Sequence, residues 1–296
     1  HMHRITLLLL IVLLLPDVYI YFTYIVRKVK NTMLRFSYWI PTLLLGLLYI
    51  YFMFFTGDNA LSHHTLGIGR LAIAIMLFAV PKLFFMLISA TGNLLHFFIR
   101  QCPRLPFTAL SIVLAIISFI CIAYGSFIGI TRFDVKEVEY TSQSLPAGFD
   151  GYRIVQLSDI HIGSWQGHPE TVQKLVDLSN DQQPDLIVFT GDLVNQRSDE
   201  LESFQNILSQ LQAPDGVYSI LGNHDYGTYY HWKSPQEEKA NLQNLIKQEK
   251  SMGWKMLNND HTIIHHNGDS IALIGVENDG EPPFSQYADL PRALQG

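Results

Sequence analysis

Four long apolar stretches within the first 131 residues restrict this chain more than any other feature does. They run over 5–26, 38–56, 71–90 and 107–130. A helix rises about 1.5 Å per residue, so about 20 apolar residues cross the roughly 30 Å of bilayer hydrocarbon. Each stretch is near or above that length. Arg4 ahead of the first run has the look of a secretory signal. That run continues past the usual signal core, however, and no small-residue cleavage site follows it. The expectation is an α-helical membrane bundle of four spans over 1–131.

The charge divides at the same place. Residues 1–131 carry nine Lys/Arg and two Asp/Glu, whereas 132–296 carry eleven and twenty-four. The acidic half has no basic run, so no nucleic-acid partner is expected. Cys102 and Cys121 both lie in the membrane half and imply no disulfide framework. Arg27, Lys28, Lys30 and Arg35 follow the first stretch, and Arg100 and Arg104 follow the third. The loop between the second and third, 57–70, has only Arg70, beside Asp58 and His63–His64. Basic loops stay cytoplasmic. This predicts both termini, and with them the second domain, on the extracytoplasmic side of the cell membrane, although Arg4 runs against that orientation.

Two charges interrupt the apolar runs. Asp17 follows Pro16 and Lys82 follows Pro81, at similar depth in helices that run the same way. Charges within a membrane face a partner or a cavity, and a pair between them is expected. Local water around each charge is the competing reading.

From residue 132 the pattern changes to an α/β rhythm. Residues 133–141 alternate apolar and polar, as a half-buried strand would. Buried strands are expected at 152–157, 185–190 and 216–221, helices at 168–180, 199–211 and 234–252, and further strands at 254–257, 261–266 and 270–276. Asn267–Gly268 is a hairpin turn signal. Strands alternating with helices argue for a parallel sheet, where ligands gather at the carboxyl ends of the strands.

Three polar motifs fall at those ends. Asp159 and His161 follow the first strand, Gly191–Asp192 the second, and Gly222–Asn223–His224–Asp225 the third. Carboxylates, an amide oxygen and imidazole together suit divalent first-row metals. Two such ions a few ångströms apart can clamp the attacking and leaving oxygens of a phosphoryl group. Any one motif alone would be an ordinary turn. His265–His266, just before the turn at Asn267, reads as a surface hairpin pair.

Asp-x-His, Gly-Asp and Gly-Asn-His-Asp in this order resemble the calcineurin-like metallophosphoesterase family over about 150–296. The four spans ahead of them resemble its integral-membrane subgroup. The resemblance implies a phosphoesterase domain over 132–296, with layered sheets flanked by helices. It also implies two divalent ions of the Mn, Fe or Zn class. The first ion would take Asp159 and His161, Asp192 would bridge both, and Asn223 would bind the second. His224 would act as acid or transition-state stabiliser, oriented by Asp225, while a metal-bridging hydroxide attacks phosphorus in line. The substrate would be a phosphomonoester, phosphodiester or pyrophosphate, with a lipid-linked one in view because membrane tethering holds the site near the bilayer.

The family supplies three more histidines, two of them in a Gly-His-x-His motif that His231, His261, His265 and His266 do not form. The expectation is that the sequence stops before the metal site is complete, and that this much of the chain is weakly active or inactive. A membrane-anchored metal or ligand sensor without turnover is the alternative. A transporter built on Asp17 and Lys82 ranks behind both.

Overall fold

The computed structural model describes residues 2–55, 65–281 and 286–295. The chain divides into two compact units, His1–Phe133 and Asp134–Gly296.

The first unit is helical. Helix α1 (Met2–Ile20) continues through a π turn, Tyr21–Ile25, to Lys28. Helix α2 (Thr32–Ser37) is capped by Asn31, whose Oδ1 accepts from the Met33 and Leu34 amides at 2.9 and 3.4 Å. Such a cap satisfies donors that have no partner within the helix. Helices α3 (Ile40–Phe54), α4 (Thr65–Phe98) and α5 (Leu105–Phe127) follow. Among the described residues, four helical runs are long and apolar enough to cross a membrane: Leu8–Lys28, Thr32–Phe54, Leu66–Phe98 and Leu105–Thr131.

The third run extends beyond the expected 71–90 at both ends. Its flanking turns are less apolar yet keep the helical backbone bonds. Of the expected loop 57–70, residues 57–64 with Asp58 and His63–His64 lie outside the described residues, as does Thr56, while Arg70 is on α4. Leu13, Leu45, Tyr49, Leu71, Ile75 and Ala79 pack α1, α3 and α4 together. Leu43, Leu47, Ile116 and Ile120 are exposed on the outside, as suits helices solvated by lipid.

Asp17 and Lys82 do pair. The Lys82 ammonium lies 2.8 Å from Asp17 Oδ1 and 3.0 Å from Oδ2, and Asp17 is fully buried. Thr42 and Tyr38 complete the cluster. Both hydroxyls donate to the Asp17 carboxylate, that of Tyr38 at 2.6 Å, and Lys82 Nζ donates to Thr42 Oγ1 at 3.1 Å. Removing one partner strands a buried charge, which typically costs about 3–5 kcal/mol. Asp17→Ala and Lys82→Ala should each lower the unfolding temperature in detergent, and the double variant should lose less than their sum. Strict additivity would show that the pair carries no coupling.

The second unit is an α/β domain, as the alternating pattern predicted. Strands β1 (Ile154–Leu157), β2 (Leu186–Phe189), β3 (Val217–Ser219) and β4 (Lys255–Met256) form a parallel sheet in the order β1-β2-β3-β4. Strand β2 is central, and its residues face both ways. Ile187 and Phe189 enter a core with Val176, Leu208 and Leu245 from helices α6 (Pro169–Asp181), α7 (Gln205–Leu208) and α8 (Pro235–Ser251). Leu186 joins Phe149, Tyr218, Leu257 and Ile264 on the other face. That face is covered by the antiparallel hairpin of β5 (Asp260–His266) and β6 (Asp269–Gly275). Asn267 and Gly268 form its turn, both in the left-handed region, with φ of 48° and 86°. A short helix, α9 (Leu290–Ala293), closes the described chain.

Three expectations fail here. Residues 133–141 form no strand, and Val138 and Tyr140 are exposed, because no sheet edge receives the alternating face. Strand β1 is an edge strand with Ile154 exposed, not a buried one. The helix expected over 199–211 is a 3₁₀ turn, Ser198–Leu201, followed by the four residues of α7. Glu200 bends back there to bond the amides of Asn195 and Arg197.

Helix α8 begins at Ser234, whose hydroxyl accepts from the Glu237 amide at 3.3 Å. Near its end lies Glu249, buried against Ser219, whose hydroxyl donates to Oε2 at 2.6 Å. Burial first, and the charge of Asp225 second, push the Glu249 carboxyl up to about 8 from an ordinary 4.5. Between those values the folded chain holds a proton that the unfolded chain releases. Stability from this group is therefore present below about 4.5 and lost as pH rises toward 8. Glu249→Gln should make that decline shallower and raise the unfolding temperature at pH 8. An unchanged pH slope would show that Glu249 is charged in the fold.

Candidate metal centre

The three motifs lie at the carboxyl ends of β1, β2 and β3, on adjacent strands. The backbone ladder continues beyond the strands to hold them together. Asp159 N donates to Gly191 O at 3.0 Å, His161 N to Asp192 O at 3.0 Å and Ile162 N to Leu193 O at 2.8 Å. Asp159, His161 and Asp192 all have positive φ, at 54°, 46° and 59°. Non-glycine residues adopt this region at a cost and concentrate at functional sites. Gly191 and Gly222 make the approach of the second and third motifs feasible. A Cβ on Gly191 would collide with the Gly222 backbone, and one on Gly222 with Asp192.

His161 is the meeting point. Its Nε2 lies 3.9 Å from Asp159 Oδ1 and 3.8 Å from Asp192 Oδ2. Potential ligand atoms of His161, Asp192 and His224 all fall within 4.8 Å of one another. The rings of His161 and His224 meet edge to face at 4.6 Å. The grouping of His161, Asp192 and His224, with Asp159 beside His161, fits a divalent transition ion. The other Asp192 oxygen, Oδ1, accepts from the His224 amide at 2.9 Å, which turns Oδ2 toward the cluster.

His224 is oriented by a residue the sequence reading did not single out. Its Nδ1 bonds the backbone carbonyl of Asn195 at 2.7 Å. A carbonyl only accepts, so Nδ1 carries the proton and Nε2 remains for a ligand or substrate. The expected orienting role of Asp225 is therefore corrected. Asp225 is fully buried, and its carboxylate accepts four backbone amides instead: Asp192 at 2.7 Å, Leu193 at 2.8 Å, Val194 at 3.1 Å and Gly222 at 2.9 Å. It ties the second motif to the third and bonds no atom of the His224 ring. Burial pushes its carboxyl up to about 7, against the pull of those amides.

Asn195 is held in turn by Glu200, whose Oε2 accepts the Asn195 amide at 2.6 Å. Burial raises the Glu200 carboxyl above the usual range. The position of Asn195, three residues past Asp192 on the same strand end, was the only sequence signal for it.

Asn223 donates from Nδ2 to the Tyr229 hydroxyl at 2.8 Å, which leaves Oδ1 as the atom for a cation. Other aromatic residues near the motifs make packing contacts. Tyr226 is buried and donates to Glu277 at 3.0 Å, Tyr230 lies against Trp232, and Trp165 donates to the Ile160 carbonyl at 2.9 Å. His265 is exposed, and His266 bonds Asp215 at 3.2 Å on the hairpin.

Four membrane-length helices and an α/β domain with carboxylate, amide and imidazole groups at its strand ends define a membrane protein with a candidate divalent-metal centre. Family models agree on both parts. The calcineurin-like phosphoesterase model matches residues 152–290, and the probable calcineurin-like phosphoesterase transmembrane domain matches residues 3–130. The chain thus carries a calcineurin-like phosphoesterase domain preceded by the transmembrane domain that goes with such domains.

Among similar proteins is the "Transmembrane protein with metallophosphoesterase domain" of Danio rerio. It is 30% identical over 193 residues, covering 63% of this chain and 41% of its own length. The uncharacterized metallophosphoesterase YkuE of Bacillus subtilis is 38% identical over 103 residues, 32% of this chain and 34% of its own. The UDP-2,3-diacylglucosamine pyrophosphatase LpxG of Chlamydia muridarum is 39% identical over 85 residues, 28% of this chain and 25% of its own. The chain thus spans less than half the length of these relatives. No solved structure matches it.

Proposed function

We propose that the protein is a membrane-anchored, metal-dependent phosphoesterase acting on a phosphomonoester, phosphodiester or pyrophosphate bond. The observation that carries this reading is the convergence of Asp159, His161, Asp192 and His224 at three adjacent strand ends. Asp159, His161, Asp192 and Asn223 are the proposed ligands of a divalent pair. When bound, such a pair supplies Lewis acidity and a nucleophilic water at neutral pH. The protein's own groups do the rest. Asp192 presents one oxygen to the cluster while its other holds the His224 backbone. His224, with Nδ1–H fixed on Asn195, aims Nε2 at the leaving oxygen, to which its imidazolium form would donate the proton. Asp225 keeps the two loops in register.

The proposed substrate is lipid-linked. Membrane spans hold the domain near the bilayer, and one relative is named for a diacylated pyrophosphate substrate. The basic loops around Arg27–Arg35 and Arg100–Arg104 favour an extracytoplasmic domain.

The test is hydrolysis by the full-length protein in detergent with Mn²⁺. Aryl phosphomonoester, aryl phosphodiester and a nucleotide–lipid pyrophosphate would be compared. Turnover that a chelator abolishes is expected for at least one, and His224→Ala should reduce it at least about 100-fold while most of the metal stays bound. A metal-loaded protein that cleaves none of the three would overturn the reading.

A further inference from the structure

Tyr229, on the 226–232 loop, touches the candidate centre through His224 and Asn223, and the loop is built to hold it there. Gly227 N donates to the His224 carbonyl at 3.0 Å, Tyr230 N to the Gly227 carbonyl at 3.2 Å, and Trp232 Nε1 to the same carbonyl at 2.8 Å. Gly227 has a φ of 76°, and an added Cβ there would lie 3.1 Å from Asn241 Nδ2 and from the Gln196 carbonyl. The turn is therefore pinned on both sides. It presents the Tyr229 ring 4.7 Å from that of His224, with 42% of the residue still exposed.

The hydrogen bond to Asn223 determines what the phenol can do. An amide nitrogen only donates, so the Tyr229 oxygen accepts from Nδ2. Two consequences follow. The Asn223 amide is locked with Oδ1 turned away from Tyr229, the orientation a cation needs. The phenol's own proton is left for an acceptor outside the protein, at an exposed edge beside His224. An anion with several oxygens suits it.

We propose that Tyr229 is a substrate-contacting residue of this centre. Its O–H donates to a non-bridging phosphoryl oxygen, and its oxygen orients Asn223 toward the metal. The inference rests on the phosphoesterase reading above.

The experiment compares wild type with Tyr229→Phe in the full-length protein, using Mn²⁺ alone and then inorganic phosphate as calorimetric probes. Phenylalanine keeps the ring against His224, so only the hydroxyl is tested. Mn²⁺ should bind the weaker of its sites about 10-fold less tightly, the scale expected when a group that orients a ligand is lost. Phosphate affinity and kcat/KM on an aryl phosphodiester should each fall by about 10-fold. In an Asn223→Asp background, whose two equivalent oxygens need no orienting, Tyr229→Phe should leave Mn²⁺ affinity unchanged. Tyr230→Phe, on the same loop, serves as the control that alters neither ligand. Equal Mn²⁺ and phosphate binding by wild type and Tyr229→Phe would overturn the proposal. A wild type that binds both ligands but hydrolyses nothing would sink the phosphoesterase reading, and the two binding comparisons would still decide the role of Tyr229.

Discussion

Asp192→Asn is expected to cut turnover at least about 1000-fold, about 4 kcal/mol of barrier, and to weaken metal loading at both proposed positions. The change is nearly isosteric, so the loss would be chemical rather than steric. In the wild type, Oδ1 accepts the His224 amide at 2.9 Å and Oδ2 lies 3.8 Å from His161 Nε2. An asparagine must keep its oxygen toward the His224 amide, since an NH₂ there would oppose another donor. Its NH₂ then faces the cluster, where a cation needs a lone pair. Metal content by mass spectrometry and hydrolysis of an aryl phosphodiester are the two measurements. Turnover within a few-fold of wild type would remove Asp192 from the centre.

The second large effect is on stability. Asp225→Ala should cost about 4 kcal/mol or more, because it strands four buried backbone donors at once. Each unsatisfied group costs about 1–3 kcal/mol, and the alanine also leaves a small void. Asp225→Asn should cost less, since its single oxygen can still serve the pair from Leu193 and Val194 or the pair from Asp192 and Gly222. Urea unfolding of the α/β unit, followed by tryptophan fluorescence, gives both values. A loss below about 1 kcal/mol for Asp225→Ala would mean that water replaces the carboxylate. The same substitution should lower activity beyond what instability explains, because the four amides belong to the loops that carry Asp192 and Asn223.

Much of this architecture was legible in the chain. Lipid imposes a length and an apolar composition on a spanning helix, so the four runs could be counted from residues alone. Their ends could not. The turns at Thr65–Arg70 and beyond Ala90 are helical through backbone bonds that hydropathy does not report. The parallel sheet was legible because β2 is buried on both faces and reads as a continuous apolar run. Residues 133–141 misled for a related reason. Alternation describes a strand that has found a sheet, and here none receives it.

The order of the motifs along the chain, the residue types within them and the depth of Asp17 and Lys82 in their helices were determined by the sequence itself. Each depends on local spacing, and local spacing survives folding. Tertiary structure decided the partners. That His224 bonds the Asn195 carbonyl and not Asp225, that Asp225 gathers four amides, and that Thr42 and Tyr38 join the Asp17–Lys82 pair depend on which loops cross in space. A backbone carbonyl has no signature in sequence, since every residue carries one. Only the fold selects the one that faces a histidine.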